Sequence, residues 1–200
     1  MPTADAASVF PENSRQHNDS SPTTALEQHW FIGYTRSCQE RKVAQALSAL
    51  GVENYLPIQQ VVRQWSDRKK KVDKLVLPGM VFVHTDEPTR VKLLSQVYGL
   101  RAYMTRGGAH TPVWVPDVQL QMFQHMVMYG REEVSVTSDY FAPGDRVRVV
   151  SGPLKGLECE LINLQGRQMA SIRLAMLGTA MVEISLGELE KIGSETQIKD

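Results

Sequence analysis

The residue types that most often carry catalysis or bind metals are few and scattered in this sequence. The five histidines share no spacing that suits a metal site; they are His17, His29, His84, His110 and His125. Cys38 and Cys159 stand alone without a C-x-x-C pattern, which fits a reducing cytosol and argues against a zinc ribbon or a disulfide framework. No nucleophile elbow, phosphate-binding loop or dinucleotide-binding glycine motif occurs. The sequence therefore predicts no enzyme, no metal and no cofactor.

Clustered cations are the stronger chemical signal. One group lies in a charged stretch over residues 63–74 and consists of Arg68, Lys69, Lys70 and Lys71. A second group precedes an apolar helical pattern and consists of Arg36, Arg41 and Lys42. Lysine and arginine neutralise phosphates, and arginine also stacks on exposed bases, so both groups are candidate nucleic-acid contacts. A charged hairpin tip is also commonly only solvated and protected from edge pairing, and that alternative stays open for the first group.

The formal net charge of zero hides an uneven distribution. Residues 1–29 have one Lys or Arg and four Asp or Glu, whereas residues 30–130 have thirteen against seven and residues 131–200 have eight against eleven. A basic middle between acidic ends indicates that the middle meets a polyanion and the ends do not. The alternative is a random fluctuation in a solvated surface. No apolar run is long enough for a membrane span, and no secretory signal is visible at the start.

The first ordered elements are predicted after a polar leader. Residues 1–28 lack apolar periodicity, so we expect them to be disordered. An aromatic, β-branched run at 30–34 predicts a strand. Ser37 and Glu40 have the spacing of a capping box, in which the serine hydroxyl and the glutamate satisfy free amides at the helix start. A helix over 38–50 follows, and Gly51 supplies its left-handed cap.

A long hairpin is predicted over residues 59–77, around the charged stretch. After it, residues 75–83 read as a strand that is apolar on both faces, because alternate side chains of a strand point in opposite directions. Helices can cover one face. The other face needs a second cover, from this chain or from a partner.

Two further helices are predicted in the basic half. Pro88 opens the second, with Asp86 and Glu87 at its positive end, and its apolar stripe is Val91, Leu94 and Tyr98. The third runs from Pro116 to Gly130 and has two apolar stripes, although a surface helix needs only one. We expect Val118, Met122, Met126 and Tyr129 to pack in the core. The second stripe, formed by Leu120, Phe123 and Val127, is then a candidate contact with something else.

The sequence changes character after residue 130. Residues 131–140 are polar and acidic and read as a linker. Short β-segments separated by glycines follow at 145–150, 158–164, 169–174, 179–184 and 186–192. Short strands at regular spacing predict a small barrel.

Two motifs in this order carry a family resemblance. The segments W30-F-I-G-Y, Y55-L-P and L77-P-G-M-V-F-V resemble the N-terminal domain of the NusG family. Downstream, F141-x-P-G-D-x-V-R-V and S151-G-P-L-K-G resemble a KOW motif. The resemblance covers about residues 30–192. One departure is Cys159, where many KOW segments have glycine.

The resemblance implies an α+β fold, with a NusG-type N-terminal α/β sandwich and a small C-terminal KOW β-barrel. The expected division is a leader at 1–28, the NusG-like domain at 29–130, a linker at 131–140, the KOW domain at 141–193 and a tail at 194–200. The KOW positions are Gly144, Gly152, Pro153 and Gly156, of which Gly152, Pro153 and Gly156 permit tight turns.

The resemblance also implies a mechanism. NusG-type proteins dock an exposed apolar patch on the clamp of RNA polymerase, and the matching positions are Met80, Phe82, Tyr103, Leu120 and Phe123. A second polymerase contact, across the cleft, matches Thr89 and Arg90. The alternatives are core packing for the first set and helix capping for the second pair. The group of Arg36, Arg41 and Lys42 would meet the non-template DNA strand, and Arg68, Lys69, Lys70 and Lys71 would touch upstream duplex DNA.

The diverged sequence, with its polar leader, resembles the specialised paralogues of the RfaH or UpxY kind more than the housekeeping factor. This resemblance implies antitermination in capsular polysaccharide operons. The KOW domain would recruit a ribosomal protein or a termination factor. It can refold as helices in RfaH, but the β-branched alternation over 145–184 favours strands here. We expect a cytoplasmic monomer that binds no membrane. The alternative function is a KOW protein that binds RNA or the ribosome without contacting polymerase, with RNA affinity in its C-terminal domain.

Overall fold

The structure is a computed structural model of the 200-residue chain. It describes residues 27–65, 68–106, 111–138 and 144–192. Only residues 27–28 of the expected leader are described. The expected tail and residues 139–140 of the expected linker lie outside the described residues.

The described residues form thirteen strands and three α-helices. In chain order they are β1 (His29–Thr35), α1 (Glu40–Ala49), β2 (Glu53–Tyr55), β3 (Ile58–Gln64), β4 (Lys69–Leu75), β5 (Met80–Thr85), α2 (Glu87–Gln96), β6 (Leu100–Tyr103), β7 (Trp114–Val115), α3 (Asp117–Tyr129), β8 (Ser135–Thr137), β9 (Asp145–Val149), β10 (Glu158–Leu164), β11 (Arg167–Leu174), β12 (Gly178–Glu183) and β13 (Leu189–Lys191).

The N-terminal part is built on an antiparallel sheet in the order β2-β5-β1-β6, with β7 also paired to β1. Ile32 lies opposite Phe82 and Phe31 lies opposite Val83, so the apolar residues of β1 and β5 alternate between the two faces. The face with Phe31 and Val83 packs against α1 and α2. The face with Ile32 and Phe82 packs against α3. The prediction of a two-faced strand after the long hairpin is therefore confirmed, but the strand begins at Met80 and not at residue 75, because residues 76–79 form a turn.

The long hairpin is also confirmed. Strands β3 and β4 form a two-stranded sheet of their own, paired from Ile58 with Leu75 at the base to Gln64 with Lys69 near the turn. The base is anchored by the buried Gln59 side chain. Its Nε2 donates to the Glu132 carbonyl oxygen at 2.8 Å, and its Oε1 accepts from the Val134 amide at 2.8 Å.

The C-terminal part is a six-stranded antiparallel sheet in the order β13-β9-β10-β11-β12-β8. The predicted short strands are confirmed to within a few residues, except that residues 186–188 form a helical turn before β13. Among the described residues β13 and β8 do not pair with each other, so the strands form an open row and the closed barrel stays a prediction. Residues 135–137 of the expected linker are strand β8, which pairs with β12.

The predicted capping box is wrong. Helix α1 begins at Glu40, its N-cap is Gln39, and no side chain caps it. The Glu40 carboxylate is buried, and its Oε1 accepts the Gly79 amide at 2.9 Å in the turn before β5. It therefore satisfies an amide of the sheet instead of one of its own helix. The left-handed cap is confirmed, because Gly51 has φ +72°.

Both predicted helix stripes differ from the structure. In α2 the inward residues are Leu93 and, just after the helix, Val97, whereas Tyr98 is 72% exposed. In α3 the buried residues are Leu120, Phe123, Met126 and Val127, whereas Val118 is 60% exposed. The α3 stripe that we expected to face away from the core is the one that packs in it.

Candidate functional site

Four of the five residues expected on the polymerase-binding patch come together on the α3 side of the sheet. They are Met80, Phe82, Leu120 and Phe123. The Phe82 and Phe123 rings are 6.1 Å apart, and the Tyr55 ring lies 5.9 Å from Phe82 and 6.4 Å from Phe123. Burial raises the pKa of the Tyr55 hydroxyl. We refer to Met80, Phe82, Leu120 and Phe123 as the apolar face.

The apolar face is covered, not exposed. Phe82, Leu120 and Phe123 are buried, and Met80 is partly buried. Their cluster continues into the C-terminal sheet through residues such as Ala170 and Ile172, because α3 packs against β11. The expectation of an exposed patch is therefore wrong for this arrangement. The second cover that β5 needs comes from the same chain.

A hydrogen bond accompanies this packing. The Ala175 amide, just after β11, donates to Gln119 Oε1 on α3 at 3.0 Å. Next to it, a cavity of about 210 Å³ lies between α3 and the sheet, and its lining includes Gln119, Met122, Cys159 and Ile172. This cavity is open to solvent and lies at the edge of the seam between the two parts.

Tyr103 does not belong to the apolar face. It lies opposite Gly33 on β1 and packs in the cluster on the other side of the sheet, with Phe31 and α1 and α2. The expectation that grouped it with Met80 and Phe82 is wrong, because the register places it on the opposite face. Burial raises the pKa of its hydroxyl, which has no hydrogen-bond partner among the described residues.

Tyr103 instead meets the second predicted polymerase contact. The Arg90 guanidinium lies 5.0 Å from the Tyr103 ring centre and 5.5 Å from that of Phe31, and its Nε donates to Glu87 at 2.7 Å. This hydrogen bond lowers the pKa of the Glu87 carboxyl. The Thr89 amide donates to Asp86 Oδ1 at 2.8 Å, so Asp86 caps α2. Thr89 and Arg90 therefore have structural partners at the start of α2, and a role toward polymerase stays a prediction.

The second cation group, Arg36, Arg41 and Lys42, is extended by an aromatic ring that we expected in a core stripe. Arg36 Nη1 donates to the Tyr98 hydroxyl at 2.8 Å, and its guanidinium lies 4.8 Å from the ring centre. Arg41 and Lys42 are exposed at the start of α1. The signal that could have identified Tyr98 is its position next to Gly99, outside the helix, where it need not follow the helical stripe.

An ion pair joins the second cation group to the hairpin. Arg41 Nη2 is 2.9 Å from Asp73 Oδ2 on β4. Lys74, near the base, and Arg63, nearer the turn, both pair with Glu133, and the hydrogen bond from Lys74 lowers the pKa of the Glu133 carboxyl. The outer cations Arg68, Lys69, Lys70 and Lys71 are exposed and pair with no carboxylate in the described ranges. They are therefore available to an anionic partner.

The KOW positions lie in the turns around β9 and β10. Only glycine fits at position 144, since a Cβ there would lie 2.0 Å from the Leu161 carbonyl oxygen. Gly152 and Gly156 adopt φ +78° and +91°, which confirms the expected tight turns. Pro153 is exposed between them. These positions shape the loop, and any contact with a partner stays a prediction.

The two cysteines differ in environment, and this difference is testable. Cys159 is buried and Cys38 is exposed, and burial raises the pKa of the Cys159 thiol to about 11. Because the thiolate is the reactive form, we expect iodoacetamide at neutral pH to modify Cys38 in the folded chain and to leave Cys159 unmodified. Peptide mass spectrometry locates the modification, and a urea-unfolded sample should be modified at both. Equal modification of both thiols in the folded chain would contradict the burial of Cys159.

Within the described ranges, no three His, Cys, Asp or Glu side chains come together in a way that could hold a metal ion. None of the helices there has the length and hydropathy that crossing a membrane requires.

Comparison with known proteins gives consistent matches. Residues 28–124 match the sequence model of the family NusG, described as "Transcription termination factor nusG". The chain is 26% identical over 184 residues to the transcription termination/antitermination protein NusG of Lactococcus lactis, covering 84% of this chain and 95% of the relative. It is 26% identical over 140 residues to the corresponding protein of Thermus thermophilus, covering 62% of this chain and 76% of the relative. A solved structure of Thermotoga maritima NusG aligns with a TM-score of 0.46 at 21% identity, covering 84% of this chain and 98% of that one.

These matches are to transcription factors, a class of protein without enzymatic activity, and the prediction of a non-enzymatic protein agrees with them. Residues 28–124 are similar to the NusG family, and the curated relatives that the chain resembles are transcription termination/antitermination proteins.

Proposed function

We propose that the chain is a transcription elongation and antitermination factor that binds the clamp of RNA polymerase through the apolar face. The observation that carries the proposal is the composition of that face: aromatic and aliphatic side chains of β5 and α3 form one cluster, which continues into the C-terminal sheet. A surface of this kind, with aromatic anchors, suits a protein partner. In this structure the C-terminal sheet occupies it.

Polymerase binding then requires the C-terminal sheet to leave α3. The same side chains cannot pack on β11 and on the clamp at once, so the two contacts compete. Because the C-terminal sheet must first leave α3, the free energy of its docking lowers the apparent affinity of the chain for polymerase.

We propose that Thr89 and Arg90 make a second polymerase contact across the cleft. They lie at the start of α2, on the side of the sheet opposite the apolar face, so one N-terminal domain can bridge two polymerase surfaces. Bridging would hold the clamp closed and suppress pausing. Arg90 is already oriented by Glu87 and two rings, which lowers the entropy lost on binding.

The cation groups support a DNA contact in the elongation complex. Arg36, Arg41 and Lys42, now with Tyr98, combine charges for phosphates with a ring for an unpaired base, as non-template DNA offers. The hairpin cations suit the phosphates of upstream DNA. The C-terminal sheet, whose charged residues largely pair across strands, suits a protein such as a ribosomal protein or a termination factor. We further propose a specialised paralogue that acts on capsular polysaccharide operons, from the similarity of its sequence to proteins of the UpxY kind.

A pull-down of the full chain with core RNA polymerase tests the proposal. Met80→Asp places a carboxylate on the edge of the apolar face where burial is only partial, and we expect at least a tenfold loss of retained chain. Gln119→Ala removes the hydrogen bond to Ala175 and should raise retention several-fold by weakening docking. Leu186→Asp, on an exposed C-terminal residue, is the matched control and should retain wild-type binding.

Circular dichroism establishes that each variant is folded. If neither the wild type nor the Gln119→Ala variant is retained by polymerase, the proposal fails. Binding of RNA or ribosomes by the same preparations would then favour the alternative function.

A further inference from the structure

Residues 130–134 connect α3 to β8 and are fastened to both parts of the molecule. On the N-terminal side, the buried Gln59 side chain on β3 binds the backbone of this segment. On the C-terminal side, Arg131 Nη1 lies 3.7 Å from Glu188 Oε1, in the helical turn that precedes β13. We refer to residues 130–134 as the connector. The connector thus joins α3, the hairpin and the C-terminal sheet at one place.

The Gln59 side chain binds the connector much as a neighbouring strand would. Its Nε2 donates to the Glu132 carbonyl oxygen at 2.8 Å and lies 3.4 Å from that of Gly130, and its Oε1 accepts from the Val134 amide at 2.8 Å. Gln59 is 4% exposed and Val134 is 1% exposed. Buried amides and carbonyls are costly to leave unpaired, so this contact strongly favours a bound connector. The ion pairs that Glu133 makes with the hairpin are partly exposed and contribute less.

The chain has no free length between Gln59 and the C-terminal sheet. Val134, whose amide Gln59 holds, directly precedes β8, and Ser135, the first residue of β8, is already paired with Met181 on β12. One residue spans at most about 3.6 Å of extended chain, so β8 cannot move far while Val134 stays on Gln59. If the C-terminal sheet moves away from α3 as one body, the Val134 amide must leave Gln59 or β8 must leave β12.

The connector is also part of the seam between α3 and the C-terminal sheet. The Val134 side chain belongs to the apolar cluster that includes Phe123 of α3 and Val182 of β12. Gly130 approaches the same strand, since the position that a Cβ would take there lies 3.4 Å from Val182 Cγ2. Separation of the sheet from α3 therefore exposes Val134 to water and removes the apolar packing that keeps its amide beside Gln59.

We infer that Gln59 is a latch: by binding the connector, it holds the C-terminal sheet on α3, and the sheet leaves only when the connector leaves the base of the hairpin. The two contacts are then coupled reciprocally, so that weakening either one weakens the other. The hairpin base thereby controls how far the apolar face is covered without touching that face. The inference concerns the chain alone and does not depend on polymerase binding.

Amide hydrogen exchange of the full chain, followed residue by residue by NMR, tests the inference. The Val134 amide reports the latch, and the Ala175 amide reports docking, because its partner is Gln119 Oε1 on α3. Gln59→Leu removes the hydrogen bonds of the latch and keeps an uncharged side chain of similar size. We expect it to raise the exchange rates of both amides about tenfold. Gln60→Leu, at the next and exposed position of β3, is the matched control and should change neither rate.

A variant on the other side of the coupling keeps the test decisive if Gln59→Leu does not fold. Gln119→Ala weakens docking directly and, by reciprocity, should raise the exchange rate of the Val134 amide about fivefold. The amides of Met104 and Ile184, which bond within the N-terminal and C-terminal parts respectively, are internal references and should change less than about twofold in every variant.

Faster exchange at Val134 alone in Gln59→Leu would show that Gln59 holds only the connector, and it would overturn the inference. So would an unchanged Val134 rate in Gln119→Ala, or reference amides that accelerate as much as Ala175, since that pattern indicates general loss of stability. These measurements involve no polymerase, so the pull-down remains the separate test of the proposed function.

Discussion

Gly178→Ala is expected to lower the free energy of unfolding by about 2–5 kcal/mol, a large effect for one methyl group. Gly178 begins β12 with φ +104°, a backbone conformation that costs a non-glycine residue about 1–2 kcal/mol. An added Cβ would also lie 1.9 Å from the Thr137 carbonyl oxygen and 2.8 Å from the Ser138 Cα. These atoms are backbone, so relief requires strand β8 to move away from β12.

Gly166→Ala is the matched control for this prediction. Gly166 has φ +81° in the turn between β10 and β11, but no neighbouring atom lies within 4 Å of the position that an added Cβ would take. Gly166→Ala should lower the free energy of unfolding only by the cost of a positive φ in a non-glycine residue, about 1–2 kcal/mol. Urea denaturation of both variants, followed by circular dichroism, gives the difference that is due to the close approach of β8. Equal losses would show that β8 does not lie against Gly178.

The same close approach explains why the expected linker was only partly predictable. Val134 and Val136 alternate with polar residues, but this run is only four residues long and follows an acidic stretch, so it gives a weak strand signal. Residues 135–137 form β8 because the exposed edge of β12 offers backbone hydrogen-bonding partners and Gly178 lets the chain approach. A strand formed by edge pairing depends on its neighbour and leaves little signal in its own sequence.

By contrast, the C-terminal strands β9 to β12 were predicted to within two residues. Their β-branched and apolar alternation is local, and the glycine turns between them mark their ends. The hairpin was predicted for the same reason. Local periodicity is sufficient where a strand has one buried and one solvated face.

The helices show the limit of that reasoning. Helix α3 has apolar residues around most of its circumference, so periodicity gives two stripes and does not rank them. Which stripe is buried depends on the sheet and on β11, both distant in sequence. The location of Tyr103 was missed in a similar way, because a strand residue's face follows from its register with β1.

The apolar face illustrates both points. Its residues were identified from a resemblance to a family, and the structure brings four of the five together. Its covering by the C-terminal sheet is a long-range arrangement that no local pattern encodes. The sequence indicated that β5 needs a second cover, and the structure shows which part of the chain supplies it.

Phe123→Ala is expected to lower the free energy of unfolding by about 3–5 kcal/mol, through lost apolar burial and the cavity that remains. Phe123 is fully buried between the Phe82 and Tyr55 rings and the seam with the C-terminal sheet, where Val118 on the same helix is mostly solvated. Val118→Ala is therefore the control, with an expected change within about 0.5 kcal/mol. Urea denaturation measures both.

The comparison decides which stripe of α3 is structural, because the sequence alone favoured Val118 as core. If Val118→Ala lowered the free energy of unfolding more than Phe123→Ala did, the helix would have to present the Val118 stripe to the core. The expected result has a consequence for the polymerase proposal. A Phe123 variant loses stability and the binding surface together, so its failure to bind polymerase would not separate the two effects. Met80, at the partly exposed edge of the same face, allows binding to change while the fold persists.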